Sequence, residues 1–199
     1  PERESFDVSS LRFVLHGAGP CTVATKQAMF DWFGPVIHEM YAASEGPGTW
    51  ITPLEWLAHP GSVGRIDAAR LCIRRDDRSP AEADEVGTVW FFSATAFRYH
   101  GDDKKTEATY DESGQWYTVG DRGHIDSDGY LYLAGRTAEC IISGGVNIYP
   151  QECENLLINH PKVADVAVIG VPNEDFGEEV KAVIQPMNWA DATPALAED

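Results

Sequence analysis

The sequence has no apolar run near the roughly 18 residues that a membrane-crossing helix needs, which excludes a helical span. Positive charge is scarce: 15 Lys and Arg stand against 32 Asp and Glu, for a formal net charge of −17. Nucleic-acid backbones are held by clustered Lys and Arg, so no nucleic-acid partner is expected. A nucleotide ligand stays open, because backbone N–H groups and a divalent cation can offset phosphate charge locally. The four cysteines, Cys21, Cys72, Cys140 and Cys153, form no C-x-x-C pair and have no His at metal-ligand spacing. Free thiols in a reducing cytoplasm are the expectation, since no signal peptide or lipidation motif is visible. Internal repeats and low-complexity tracts are also missing. The chain begins with Pro1 rather than Met and is expected to start inside a longer protein, with any targeting segment outside it.

What is present suits a globular fold of one or two domains: 199 residues, with six Trp and eight Phe as core material. Residues 11–15, closed by Gly17, read as a buried strand, and residues 36–41 as another. Between them a helix is predicted over 21–33, begun by Pro20 and stopped by Gly34. Strand, helix, strand at this spacing makes a βαβ unit with parallel strands. Both following loops, Gly17-Ala18-Gly19-Pro20 and Ala42-Ala43-Ser44-Glu45-Gly46, would then emerge at the carboxyl edge, where open α/β sheets bind ligands.

Residues 61–135 carry antiparallel signals: strands at 69–73, 87–92 and 116–119, and a hairpin over 123–133 turned at Asp128-Gly129. The charged stretch 74–85 reads as a solvated loop. A small α+β unit follows. Its helix starts at Pro150, carries Glu152 and Glu154 near the positive dipole end, shows a stripe of Cys153, Leu156 and Leu157, and stops at Pro161. Strands are predicted at 163–171 and 179–185. The divisions are 1–60 (α/β), 61–135 (antiparallel β, barrel-like), 136–187 (α+β) and 188–199 (linker or frayed tail).

Gly120-Asp121 places a carboxylate at a strand-to-loop junction, where it can accept hydrogen bonds from a vicinal diol such as ribose. Taken alone, a turn-capping Asp is the commoner explanation of such a pair, because Gly-Asp is frequent in loops. It stands, however, in an ordered string: Trp116-Tyr117-Thr118-Val119-Gly120-Asp121, then Asp126-Ser127-Asp128-Gly129-Tyr130-Leu131, then Gly135-Arg136, then Ile141-Ile142-Ser143-Gly144-Gly145-Val146-Asn147-Ile148-Tyr149-Pro150-Gln151-Glu152. This string resembles the signature of the adenylate-forming (AMP-binding) superfamily, on its acyl-CoA synthetase side. The similarity extends upstream through Gly61-Ser62-Val63-Gly64-Arg65, residues 41–46 and residues 17–20, and so covers nearly the whole chain.

The resemblance implies an internal-to-C-terminal piece with the end of a parallel-sheet subdomain, an antiparallel subdomain and a truncated mobile α+β domain. It implies that Tyr41 stacks on adenine, with Gly17, Ala18 and Gly19 lying against the base. Ser44 and Glu45 would hold an α-phosphate oxygen and Mg²⁺, as catalytic groups. Asp121 and Arg136 would meet ribose and phosphate. Ala138 stands at the hinge position, where the family commonly has Asp or Lys. Gly144 and Gly145 would line the pantetheine tunnel, a plain hairpin turn being the rival reading. Ala42, Ser44 and Val119 depart from the family's usual Gly, Thr and Thr.

ATP, Mg²⁺ and coenzyme A are the implied cofactor and co-substrates, and a small-molecule carboxylic acid, expected to be fatty, the substrate. Homodimerisation is left open. No Ser/Thr/Gly-rich phosphate loop ending in Pro-Lys is present, and the family's catalytic lysine is expected beyond Asp199, so the chain alone is expected to be inactive. An adenylation domain that loads a carrier protein and a non-catalytic nucleotide-binding module are the alternatives.

Overall fold

The computed structural model describes residues 5–193 and 196. The chain forms two compact units, Pro1–Leu133 and Ala134–Asp199.

In the first unit, β1 (Val14–Gly17), α1 (Val23–Phe33) and β2 (Ile37–Tyr41) form the expected βαβ arrangement, with the strands parallel in the register Leu15↔His38 and Gly17↔Met40. The first strand lies later than the apolar run suggested. The Leu11 amide turns back to the Val8 carbonyl at 3.0 Å, so residues 11–13 are spent on a turn and its exit, and Gly17 is inside the strand. The helix also starts later. Thr22 is its N-cap and accepts from the Thr25 amide at 3.1 Å, leaving Pro20 outside the first turn. Gly34 ends it as expected, in a left-handed conformation (φ 78°) open to glycine at little cost.

β3 (Thr49–Ile51) adds antiparallel to β2. α2 (Pro53–Ala58) follows behind a capping box in which Thr52 and Glu55 satisfy each other's backbone amides. α1 and α2 bury Phe30 and Trp56 against Ile37 and Ile51 of the sheet.

The rest of the unit is antiparallel: β4 (Gly64–Arg65), β5 (Leu71–Arg74), β6 (Gly87–Phe92), α3 (Asp103–Thr109), β7 (Trp116–Tyr117), β8 (Asp121–Ile125) and β9 (Tyr130–Arg136), whose last residues, from Ala134, belong to the second unit. The order β4-β9-β8-β6-β5, with β7 also on β6, is an open path and not a closed barrel. The β8–β9 turn is the one expected: Gly129 has φ 86° and the Asp126 carboxylate accepts from the Tyr130 amide at 2.8 Å. Val63, Leu71, Ile73, Val89, Phe91, Tyr117 and Leu131 form its core, with Tyr41 packed against it.

The stretch expected as a solvated loop is more ordered than its charge suggests. Arg74 ends β5 with its guanidinium 4.9 Å and 5.2 Å from the Trp90 and Trp116 ring centres and 3.0 Å from Asp111. Arg75 grips Glu85 through two hydrogen bonds of 2.7 and 2.6 Å. Charge there is consumed by pairing, which a charge count alone does not reveal.

The second unit holds a 3₁₀ turn (Thr137–Glu139), β10 (Ile141–Ser143), β11 (Val146–Ile148), α4 (Pro150–Leu157), β12 (Val163–Asn173) and β13 (Gly177–Pro186), in the sheet order β11-β10-β13-β12. Glu154 fastens α4 to β12 by accepting from the Val168 amide at 2.8 Å. Leu156, assigned to the apolar stripe, is instead 76% exposed, and Pro150 is the buried residue of the helix. α4 is too short for its stripe to close over a core: the turn carrying Leu156 is its last. Of the expected tail 188–199, a 3₁₀ turn at Trp189–Asp191 is described, and residues 194, 195 and 197–199 lie outside the described residues.

Candidate functional site

The carboxyl edge of β1 and β2 carries the first cluster. Gly17 pairs with Met40, directly before Tyr41, so the glycine loop and the tyrosine leave the sheet side by side. At Gly17 an added Cβ would press on the Met40 carbonyl oxygen at 3.0 Å, whereas at Gly19 it would meet nothing within 4 Å. Packing demands the first glycine; the second leaves open space beside the backbone. Ala18, between them, has φ 72°, and the Gly19 amide donates to the Gly17 carbonyl at 3.0 Å. That tight γ-turn is costly for a residue with a Cβ and presents bare backbone at the sheet edge.

Tyr41 and Asp121, 80 positions apart, meet directly: the phenol donates to the Asp121 carboxylate at 2.6 Å. Asp121 opens β8 and is buried. Phe91 supports the Tyr41 ring at a centroid distance of 6.1 Å. An aromatic face and a buried carboxylate are thereby set beside the glycine loop.

The loop after Tyr41 carries Ser44 and Glu45. Its turn is closed by the Gly46 amide donating to the Ala43 carbonyl at 3.2 Å, which leaves Ser44 exposed and Glu45 half-buried. Tyr99, from the segment before α3, donates its hydroxyl to Glu45 Oε1 at 2.9 Å. Burial and the Glu45 carboxylate both push the Tyr99 phenol above its usual range. Beneath the loop lies Tyr117, fully buried, with a hydroxyl that has no hydrogen-bond partner among the described residues. A Cβ on Gly46 would fall 2.0 Å from that hydroxyl. Burial first, and Glu45 second, raise the Tyr117 pKa to about 12.

Glu45 offers a single carboxylate, and no group of three or more His, Cys, Asp or Glu side chains gathers among the described residues. That set fits Mg²⁺ held with a substrate phosphate, because Mg²⁺ keeps most of its shell as water and phosphate oxygen.

Two features had escaped the sequence reading. Tyr99 lies in a stretch without period or motif, so nothing marked it. Lys26 of α1 is 1% exposed, paired with Glu39 of β2, and 4.8 Å from the Trp56 ring centre. Glu39 also lies 3.3 Å from His16 Nδ1 at the end of β1.

The remaining predicted residues lie in the second unit. Arg136 ends β9 and precedes the 3₁₀ turn that contains Ala138, and both are exposed. Gly144 and Gly145, with φ of 57° and 81°, make the two-residue turn between β10 and β11, where Ser143 pairs with Val146. Left-handed angles at both positions match the strand twist and explain the glycines.

Residues 152–199 match the model of the AMP-binding enzyme C-terminal domain. The indoleacetate–CoA ligase of Aromatoleum aromaticum is 34% identical over 194 residues, 94% of this chain and 37% of that protein. The medium/long-chain-fatty-acid–CoA ligase FadD8 of Mycobacterium tuberculosis is 33% identical over 92% of this chain and 33% of its own length. The chain thus spans about a third of the length of the curated relatives it matches. Among solved structures, the amide bond synthetase McbA of Marinactinospora thermotolerans superposes with a TM-score of 0.82 at 32% identity, over 100% of this chain and 42% of that one. The o-succinylbenzoate CoA synthetase MenE of Bacillus subtilis, in complex with its acyl-adenylate OSB-AMP, gives 0.80 at 28% identity over 95% and 40%. On these grounds the chain belongs to the adenylate-forming, AMP-binding superfamily.

Proposed function

We propose that this chain supplies part of the nucleotide site and the start of the acyl-transfer domain of an ATP-dependent acid–thiol ligase. In the first step a carboxylate oxygen attacks the α-phosphorus of ATP and pyrophosphate leaves, giving an acyl-adenylate. In the second the thiol of coenzyme A attacks the acyl carbon, AMP leaves, and the thiol proton passes to solvent. The observation that carries the reading is the meeting of Tyr41 and Asp121 at the carboxyl edge beside the Gly17-Ala18-Gly19 turn.

In this reading the Tyr41 ring stacks on adenine, and Gly17, Ala18 and Gly19 admit the base against bare backbone. Asp121 accepts from the ribose diol, exchanging the Tyr41 hydroxyl for ligand donors. Ser44 donates to an α-phosphate oxygen, and Arg136 contributes its fork of donors to ribose and phosphate. Glu45 would hold Mg²⁺, which supplies charge neutralisation at the phosphates. Ala138 serves as the hinge between adenylation and thioester formation, where permissive backbone angles are what is needed. Gly144 and Gly145 present a side-chain-free turn to the pantetheine arm. The relatives favour a carboxylic acid substrate, and FadD8, named as a fatty-acid ligase, favours a fatty one.

The test is carboxylate-dependent pyrophosphate–ATP exchange by a protein that carries this chain within its full reading frame. Exchange, followed by CoA-thioester formation, is expected, with both lost in Asp121→Ala. Exchange without any thioester would point to another acceptor, and no exchange with any carboxylate would refute the reading. The isolated chain is expected to form no CoA ester.

A further inference from the structure

We propose that Tyr99 is a positioning residue for Glu45, fixing one carboxylate oxygen so that the other is presented to a divalent cation carried by a nucleotide phosphate. The inference rests on the functional reading above and extends it to a residue outside the nucleotide-binding motifs. Glu45 Oε1 accepts the Tyr99 hydroxyl at 2.9 Å, while Oε2 takes no hydrogen bond among the described residues. A glutamate on a loop samples several rotamers, and Mg²⁺ demands near-ideal octahedral placement of each ligand. One oxygen tied down removes most of that freedom.

Tyr99 is itself held firmly enough to serve. Its backbone amide donates to Thr106 Oγ1 at 3.0 Å, which anchors it to α3. Phe97 meets its ring edge-on at a centroid distance of 5.4 Å, and the Lys105 ammonium sits 4.0 Å from its ring centre. The adjoining residue of the Glu45 loop is restrained independently. Gly46 lies against the Tyr117 hydroxyl with no space for a Cβ, so the loop cannot settle toward the sheet without moving a fully buried side chain. Two tyrosines thus define the carboxylate, Tyr99 through its hydrogen bond and Tyr117 through the backbone beneath it. A metal ligand whose outer partner is lost forfeits about 10- to 100-fold in metal affinity.

Isothermal titration of a purified protein that carries this chain within its full reading frame separates this role from simple packing. AMP binding is measured in EDTA, where no cation takes part, and ATP binding is measured against rising Mg²⁺. Tyr99→Phe keeps the ring and its contacts and removes only the hydroxyl. It is expected to raise the Mg²⁺ midpoint by about 10- to 100-fold while AMP affinity stays within about twofold. A Mg²⁺ midpoint unchanged in Tyr99→Phe overturns the inference while leaving the nucleotide reading intact. Equal losses of AMP and Mg²⁺-dependent binding also overturn it, since they mark a packing role. Failure of the wild-type full-length protein to bind AMP overturns the nucleotide reading and this inference with it.

Discussion

Replacing Lys26 with methionine keeps the side chain's length and removes a charge that the first unit has buried. Lys26 is 1% exposed, its ammonium is paired with Glu39, and the Trp56 ring lies 4.8 Å away. The substitution leaves the Glu39 carboxylate, 12% exposed, with His16 Nδ1 at 3.3 Å beside it. Breaking a buried pair from one side costs about 3–5 kcal/mol, because the surviving charge is stranded out of water. Against a whole-domain stability of about 5–15 kcal/mol, that is a large fraction. Removing both partners strands no charge, so the Lys26→Met/Glu39→Leu double variant should recover all but about 1 kcal/mol of the loss. Urea unfolding followed by tryptophan fluorescence reads both values, since Trp56 is fully buried in the same core. A single variant within about 1 kcal/mol of wild type, or a double variant no more stable than the single, refutes the reasoning.

Three further outcomes follow from particular contacts. Gly46→Ala, which sets a Cβ 2.0 Å from the Tyr117 hydroxyl, should abolish nucleotide binding at temperatures where circular dichroism still shows a folded chain. Thr52→Ala removes one half of the α2 capping box and should lower stability by about 1 kcal/mol in urea unfolding, with AMP affinity unchanged. The Tyr117 phenol, raised by burial to about 12, stays protonated in the fold after the unfolded chain has begun to ionise. Its contribution to stability is therefore complete below about pH 10, the unfolded value, and is lost as pH climbs through 12. Tyr117→Phe should flatten that alkaline fall in melting temperature.

The parts of the fold legible in the sequence were those with a local cause. Gly34 stops α1 and Gly129 turns the β8–β9 hairpin because each needs a positive φ. The parallel pairing of β1 and β2 followed from the helix between them. α2 was missed although Thr52, Pro53 and Glu55 spell a capping box with proline in the first turn, a signal that could have been read. β3 and β4 are too short to show a period. Lys26 was unreadable for a different reason. A lysine on a helix reads as solvated, and only the approach of α1 to β2 supplies the Glu39 that makes its burial affordable.

Tyr41, Ser44, Glu45 and Asp121 are singled out by the resemblance of an ordered motif string and of the residues upstream of it. The contact of Tyr41 with Asp121 could not be read, because the two touch only after the antiparallel sheet brings β8 to the edge of β2. Tyr99 lies in no motif, and its contact with Glu45 is a hydrogen bond across 54 positions of sequence.

The central claim is that Asp121 accepts hydrogen bonds from a ribose diol beside Tyr41. Calorimetry of a protein that carries this chain within its full reading frame, with AMP and with 2′,3′-dideoxy-AMP, in wild type and in Asp121→Ala, tests it most directly. The account predicts that wild type prefers AMP by about 1.5–3 kcal/mol, the worth of a hydrogen bond to a charged group, and that Asp121→Ala erases the preference. Equal affinity of wild type for the two nucleotides, or a preference that survives in Asp121→Ala, would contradict it.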